Sequence, residues 1–164
     1  NVLTGFDLRK KMKVISGGKM TSGFEMVKLL ALGADLCYSA RAMMMALGCI
    51  QARKCNSNVC PVGVTTQNPN LMGALVPEEK SKRVHNYHSN TVVSACEIMG
   101  AMGLEKTEEL RPWHLMRRIE AYEIRNLSEI YEYIEEGSLL EDHKPKSYAR
   151  ACEAARSDSF TKTN

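Results

Sequence analysis

The chain has no long apolar run, no large charge excess, no repeat and no Cys-x-x-Cys pair. Each absence excludes something. A membrane-spanning helix needs about 18 or more apolar residues. The longest apolar stretch here, Ala42 to Ile50, reads instead as a buried helix, so no membrane partner is expected. A net charge of +3 is too small to argue for nucleic acid. No low-complexity tract or linker divides the 164 residues, so the chain reads as one structural unit. The amino-terminal stretch is polar and unlike a signal peptide. A cytoplasmic protein without disulfides is therefore expected, despite six cysteines. The chain opens Asn1-Val2-Leu3-Thr4-Gly5 without Met, and we expect it to be cut from something longer or processed.

What charge there is lies unevenly. Residues 1–60 hold nine Lys or Arg against three Asp or Glu, whereas residues 61–164 hold thirteen against sixteen. The basic half contains a group of cysteines, which fits an anionic cofactor or a negatively charged partner as well as it fits a randomly basic surface.

That group is Cys49, Cys55 and Cys60, three thiols within twelve residues, the last followed by Pro61. Thiolates gathered so tightly can hold a soft metal, and Cys-Pro at the end of such a run recurs in iron–sulfur proteins. Three thiolates suit a cluster of three irons, one ligand per iron, and are one short of a closed zinc site. Cys37, Cys96 and Cys152 each stand alone in apolar or helical context and read as small packed residues.

Two strand–turn–helix units precede the cysteines. Lys13 to Ser16 reads as a short buried strand broken by Gly17-Gly18-Lys19. Thr21 or Ser22 is a helix N-cap, with Glu25 in the first turn. Phe24, Val27, Leu30 and Ala31 form the apolar stripe of a helix ending at Gly33. Asp35 to Tyr38 reads as a second strand, Ser39-Ala40-Arg41 as its turn, and Ala40 to Gly48 as a second helix. The crossover length suits parallel strands. Turns of this kind present backbone N–H groups beside a helix start, and two side by side make a phosphate cradle. A tight turn without a ligand is the plainer reading of Gly-Gly taken alone.

Further on, Val84, Tyr87, Thr91, Val92, Ala95, Ile98, Met99 and Met102 recur at helical spacing. They define a helix over 78–102, begun by Pro77 and stopped by Gly103. His85 and His88 read as one solvated and one packed histidine, and Met43-Met44-Met45 as core filler. Trp113 to Arg118 reads as one or two helical turns with Trp113 packed at the boundary. Glu129 to Glu136 reads as a short helix closed by Gly137, and Lys146 to Ala155 as a last helix. Fraying is expected from Ser157 on.

The stretches Ser16 to Gly23, Ala31 to Asp35, Ala46 to Ile50 and Cys55 to Gln67 together resemble the FMN-binding synthase domain of glutamate synthase, closest to its stand-alone, ferredoxin-type branch. Arg83 to Tyr87, Glu109 to Pro112 and Glu136 to Leu140 extend the resemblance over nearly the whole chain. It implies an α/β fold: the last two β/α units of a (β/α)8 TIM barrel, with the cysteine loop, over residues 1–76, and a helical extension over 77–164. It implies that Cys49, Cys55 and Cys60 ligate a 3Fe–4S cluster. It implies that Gly17, Gly18 and Lys19, with Ser39, Ala40 and Arg41, hold FMN phosphate, mainly through backbone N–H. Lys19 departs from the Gly-Gly that many FMN barrels carry there. The implied activity is an oxidoreductase of the CH-NH2 class. Electrons would come from a ferredoxin-like donor through the cluster to FMN, and the substrates would be 2-oxoglutarate with ammonia or glutamine. The catalytic acid and base would lie upstream, so the chain alone is expected to be inactive. Two strands cannot close a barrel. A homo-oligomer, or assembly with the rest of the barrel, is expected. The alternatives are a non-catalytic assembly piece using the cysteines for structural metal, and a related FMN oxidoreductase acting on another amino or keto acid.

Overall fold

Short runs bounded by glycine or polar residues form the first strands. In the computed structural model, which describes residues 1–159, β1 (Ile15–Gly17) and β2 (Leu36–Tyr38) pair in parallel, with Ile15 opposite Leu36, Ser16 opposite Cys37 and Gly17 opposite Tyr38. The segment from residue 160 on, part of the stretch expected to fray, lies outside the described residues. A short helix α1 (Val2–Gly5) precedes the sheet, and the crossover between the strands is α2 (Gly23–Ala31). Ser22 is the N-cap of α2, and its side chain accepts from the Glu25 N–H. Gly33, at φ +106°, turns the chain back toward β2. Helix α3 (Arg41–Leu47) follows β2 and ends at Gly48, also left-handed. β1, α2, β2 and α3 are the elements the sequence predicts, with bounds moved by a residue or two, but β1, expected as a buried strand, has no buried residue.

The contacts divide the chain into two compact units. The larger, Val14–Leu127, contains the sheet, α2 and α3, then a short helix α4 (Pro69–Met72) and the long helix α5 (Pro77–Ala101). Helix α5 packs on both α2 and α3. The packing is close: a Cβ at Gly23 would stand 2.5 Å from the Ala95 backbone nitrogen. Val27, Ala31, Ala42, Thr91, Ala95 and Met99 form the buried seam of the three helices. Because α5 packs with α2 and α3, a boundary at residue 76 falls inside this unit.

The remainder of the larger unit departs from the helical reading. Pro112–His114 makes a single 3-10 turn, and β3 (Met116–Arg118) then pairs antiparallel with β4 (Ile124–Asn126). Trp113 is 54% exposed, its ring edge-on to His114, rather than packed at a helix boundary. The smaller unit comprises Asn1–Lys13 and the described residues from Ser128 on. Helix α6 (Leu127–Ile130) stops well short of Glu136, and α7 (Lys146–Ala154) is close to its expected span. Leu139 is the core residue of this unit, its N–H bonded to the Gly5 carbonyl at 2.9 Å. Among the described residues no helix is long and apolar enough to cross a membrane.

The alternating side chains of β1 and β2 are unequally covered. Ser16 and Cys37 are half-buried, and burial pushes the Cys37 thiol up. Ile15, Leu36 and Tyr38, which share the other face, are exposed.

Candidate functional site

Parallel pairing brings the carboxyl ends of β1 and β2 together, so the turns that leave them are neighbours. Gly17 ends one strand opposite Tyr38, the end of the other. Gly18 and Lys19 follow on one side, Ser39 and Ala40 on the other. A hydrogen bond ties the two turns: the Ser39 hydroxyl donates to the Met20 carbonyl at 2.9 Å. Gly18 sits at φ +110° and Lys19 at φ +55°, two left-handed residues in succession. This explains why a second glycine suits the position, since only glycine enters that region without steric cost. A Cβ at Gly18 would meet nothing within 4 Å, so the space beside the turn is open. Among the described residues, the backbone N–H groups of Lys19, Ala40 and Arg41 have no acceptor. The structure thus brings Gly17, Gly18, Lys19, Ser39, Ala40 and Arg41 to one end of the sheet.

Just beyond, Glu25 reaches back to accept from both the N–H and the hydroxyl of Thr21, at 2.7 and 2.8 Å. These hydrogen bonds, the backbone one first, hold its carboxyl below the usual carboxylate range. Thr21 and Ser22 both serve the helix start, where the sequence left a choice between them.

The cysteine loop is built differently. Between Gly48 and α4 the chain has no regular element, and Gln51, Arg53 and Asn58 are left-handed. Asparagine tolerates that conformation because its side chain bonds locally. Here Asn58 Oδ1 accepts from the Gln67 N–H at 2.6 Å, and the Thr66 hydroxyl donates to the Asn58 carbonyl at 2.6 Å. Gly63, at φ +77°, lies so close to α4 that a Cβ would stand 2.6 Å from the Leu71 carbonyl oxygen. The loop's far end is therefore fastened.

The three thiols differ accordingly. Cys60 is buried in the fastened end. The backbone N–H groups of Thr65, Val62 and Val64 favour its thiolate, Thr65 most, and hold it down at about 7. The Thr65 hydroxyl is buried beside it and meets no acceptor at full hydrogen-bonding geometry. Its effect on the sulfur is favourable but smaller than that of the backbone groups. Cys49 is half-buried, its sulfur 3.4 Å from the Gln51 N–H, and Cys55 is exposed. No group of three or more Cys, His, Asp or Glu side chains among the described residues is gathered to hold a single metal ion. A cluster sets its thiolates farther apart than one ion does, because each binds a different iron. At the loop's start, the Lys80 and Arg83 head groups from α5 each come within 3.8 Å of the Cβ position of Gly48.

Sequence reasoning missed Met20, Thr65 and Asn58 as parts of this framework. Asn58 had a usable signal, an asparagine in a loop. The Met20 carbonyl had none, because any residue carries one. Of the other cysteines, Cys37 and Cys152 are partly covered, whereas Cys96 is exposed; His85 and His88 are both exposed.

A family model described as the conserved region in glutamate synthase matches residues 1–105, which includes both turns and the whole cysteine loop. The glutamate synthase large subunit-like protein YerD of Bacillus subtilis is 35% identical over 129 residues, 79% of this chain and 25% of that protein. An archaeal glutamate synthase (NADPH) of Methanocaldococcus jannaschii is 36% identical over 104 residues, 63% of this chain and 20% of that protein. The glutamate synthase (NADPH) large chain of Bacillus subtilis is 32% identical over 103 residues, 63% of this chain and 7% of that protein. The chain spans a quarter or less of the length of these relatives. The match to the family model runs through well over half of the residues, and on that ground the chain belongs to the glutamate synthase family.

Proposed function

We propose that this chain is the carboxyl-terminal part of the FMN-binding barrel of a glutamate synthase-like oxidoreductase. The observation that carries the reading is the pair of tied turns at the ends of two parallel strands, with N–H groups that lack protein acceptors. In (β/α)8 barrels the loops after the last two strands commonly bind phosphate. The N–H groups of Lys19, Ala40 and Arg41 would hold the FMN phosphate, and the open space beside Gly18 leaves room for it. When bound, FMN supplies hydride chemistry and accepts electrons singly or in pairs. The exposed apolar face of Ile15, Leu36 and Tyr38 supports further strands beside β1 and β2, supplied by the rest of the protein.

Cys49, Cys55 and Cys60 would ligate a 3Fe–4S cluster, which supplies one-electron relay. The donor chemistry fits at Cys60, whose thiolate is favoured before any metal arrives and which has the buried Thr65 hydroxyl beside it. We propose for the whole protein the formation of glutamate from 2-oxoglutarate and ammonia or glutamine, with a ferredoxin-like electron donor. The residues here hold cofactors and supply no acid or base to the keto acid. The experiment assays the chain alone and joined to its upstream segment, with FMN, reduced ferredoxin, 2-oxoglutarate and ammonium. Glutamate is expected only from the joined protein. Formation by the chain alone, or by neither form with cofactors bound, overturns the reading.

A further inference from the structure

We infer that Tyr87, on α5, is a positioning residue for the anion-binding turn after β1. The inference rests on the FMN-phosphate reading and names a residue that the reading does not use. The Tyr87 hydroxyl donates to the Thr21 carbonyl at 2.8 Å, across 66 positions of sequence. The preceding carbonyl, Met20, accepts from Ser39 at 2.9 Å. Two successive carbonyls of the turn are thus held by hydroxyls from two other elements. The Thr21 N–H and hydroxyl are taken by Glu25. A peptide carbonyl left free beside an anion site can rotate toward the anion and repel it, and a rotated peptide also redirects the next N–H. Lys19 lies immediately before this pinned pair and is held in the left-handed region, which a lysine leaves readily when nothing downstream fixes the chain.

The tie is placed to act on the turn and little else. The α2–α5 contact already has its own anchor at Gly23, against Ala95 and Ser94, two helical turns away along α5. Losing one exposed hydroxyl leaves that buried seam intact, and the freedom it restores falls on the turn.

The test compares FMN with riboflavin, which lacks the phosphate, as ligands of wild type and Tyr87→Phe, using quenching of flavin fluorescence. Wild type should prefer FMN. In Tyr87→Phe that preference should fall about fivefold, the worth of one neutral hydrogen bond, with riboflavin affinity unchanged. An equal preference in both proteins, or equal weakening of both flavins, overturns the inference and leaves a merely structural tie. A wild type that does not prefer FMN overturns the phosphate reading beneath it. Should Tyr87→Phe fail to fold, inorganic phosphate added to wild type, followed by NMR, decides. The Lys19, Ala40 and Arg41 amides and the Tyr87 ring should shift together. Amide shifts without a Tyr87 shift contradict the inference, and absent amide shifts contradict the phosphate reading.

Discussion

The paired turns and the cysteine loop lie in the same compact unit and are held by opposite means. The turns are placed by regular elements: parallel strands set their spacing, helices follow at once, and Ser39 closes the gap between them. The loop has neither strand nor helix between Gly48 and α4. Its shape comes from left-handed residues, Asn58 and a close-packed glycine. One candidate site is shaped by the fold alone. The other has one prepared thiol, Cys60, with Cys49 half-buried at the loop's start and Cys55 exposed. The difference is what backbone geometry permits: neighbouring turns with free N–H groups need only the right strand ends, whereas three thiolates crowded without metal repel one another as they ionise. On the proposed reading, a cluster would complete its own loop, whereas a phosphate would not need to.

Four results would break or sharpen that contrast. The largest effect is expected from Cys60→Ala. Iron and sulfide content after anaerobic reconstitution should fall to background, while the preference for FMN over riboflavin stays at its wild-type value. Loss of both would mean that the two sites are one. Next come the glycines that fasten each region. Gly23→Val drives a side chain into the α5 backbone, and Gly63→Ala puts a Cβ against the Leu71 carbonyl in a left-handed residue. Each should cost the larger unit about 3 kcal/mol in denaturant unfolding. A smaller cost for Gly63→Ala would show the cysteine loop to be loosely attached at both ends.

The third is a pH effect in the metal-free chain. The Cys60 thiol is held down at about 7 by backbone N–H groups. A depressed acid contributes stability that is full above its unfolded value and is lost as pH falls through its folded value. That contribution should be complete above pH about 9 and decline on acidification until pH passes about 7. Cys60→Ser should remove this pH dependence, as read by unfolding midpoints across the range. The thiolate absorbance of wild type minus Cys60→Ser should titrate with a midpoint near 7, and Thr65→Val should raise it. A midpoint near that of an ordinary thiol would contradict the prepared state of Cys60. The smallest effect belongs to Lys19→Gly. Relief of the left-handed lysine outweighs the added freedom of the unfolded chain, for a gain of about 0.5 kcal/mol. A loss would mean that the Lys19 side chain makes contacts that matter.

The same contrast governs what could be read in advance. The β-α-β-α order was legible because each strand is a short apolar run ended by small or polar residues, and because Ser22 and Glu25 mark a helix start chemically. The long helix was legible from its period, although Val92 in the expected stripe is 37% exposed. The β3–β4 hairpin was not. Met116-Arg117-Arg118 has no alternation of its own and becomes a strand only by pairing with Ile124–Asn126. Proline at residue 112 starts a helical turn, but the turn ends at His114. Glu129 to Glu136 carries helix-forming residues, yet the helix stops at Ile130. At the candidate site, residue types and spacing named both regions. The ties that shape them, Ser39 to Met20 and Tyr87 to Thr21, are long-range bonds to carbonyls and leave no trace in local sequence.

The cluster is the central claim that can be tested most directly. The chain, made and purified without oxygen, is analysed for iron and acid-labile sulfide and examined by low-temperature EPR in its oxidised form. The account predicts iron and sulfide in the ratio of a 3Fe–4S centre, with an EPR signal that disappears on reduction and is absent from Cys60→Ala. Stoichiometric zinc without sulfide would contradict it.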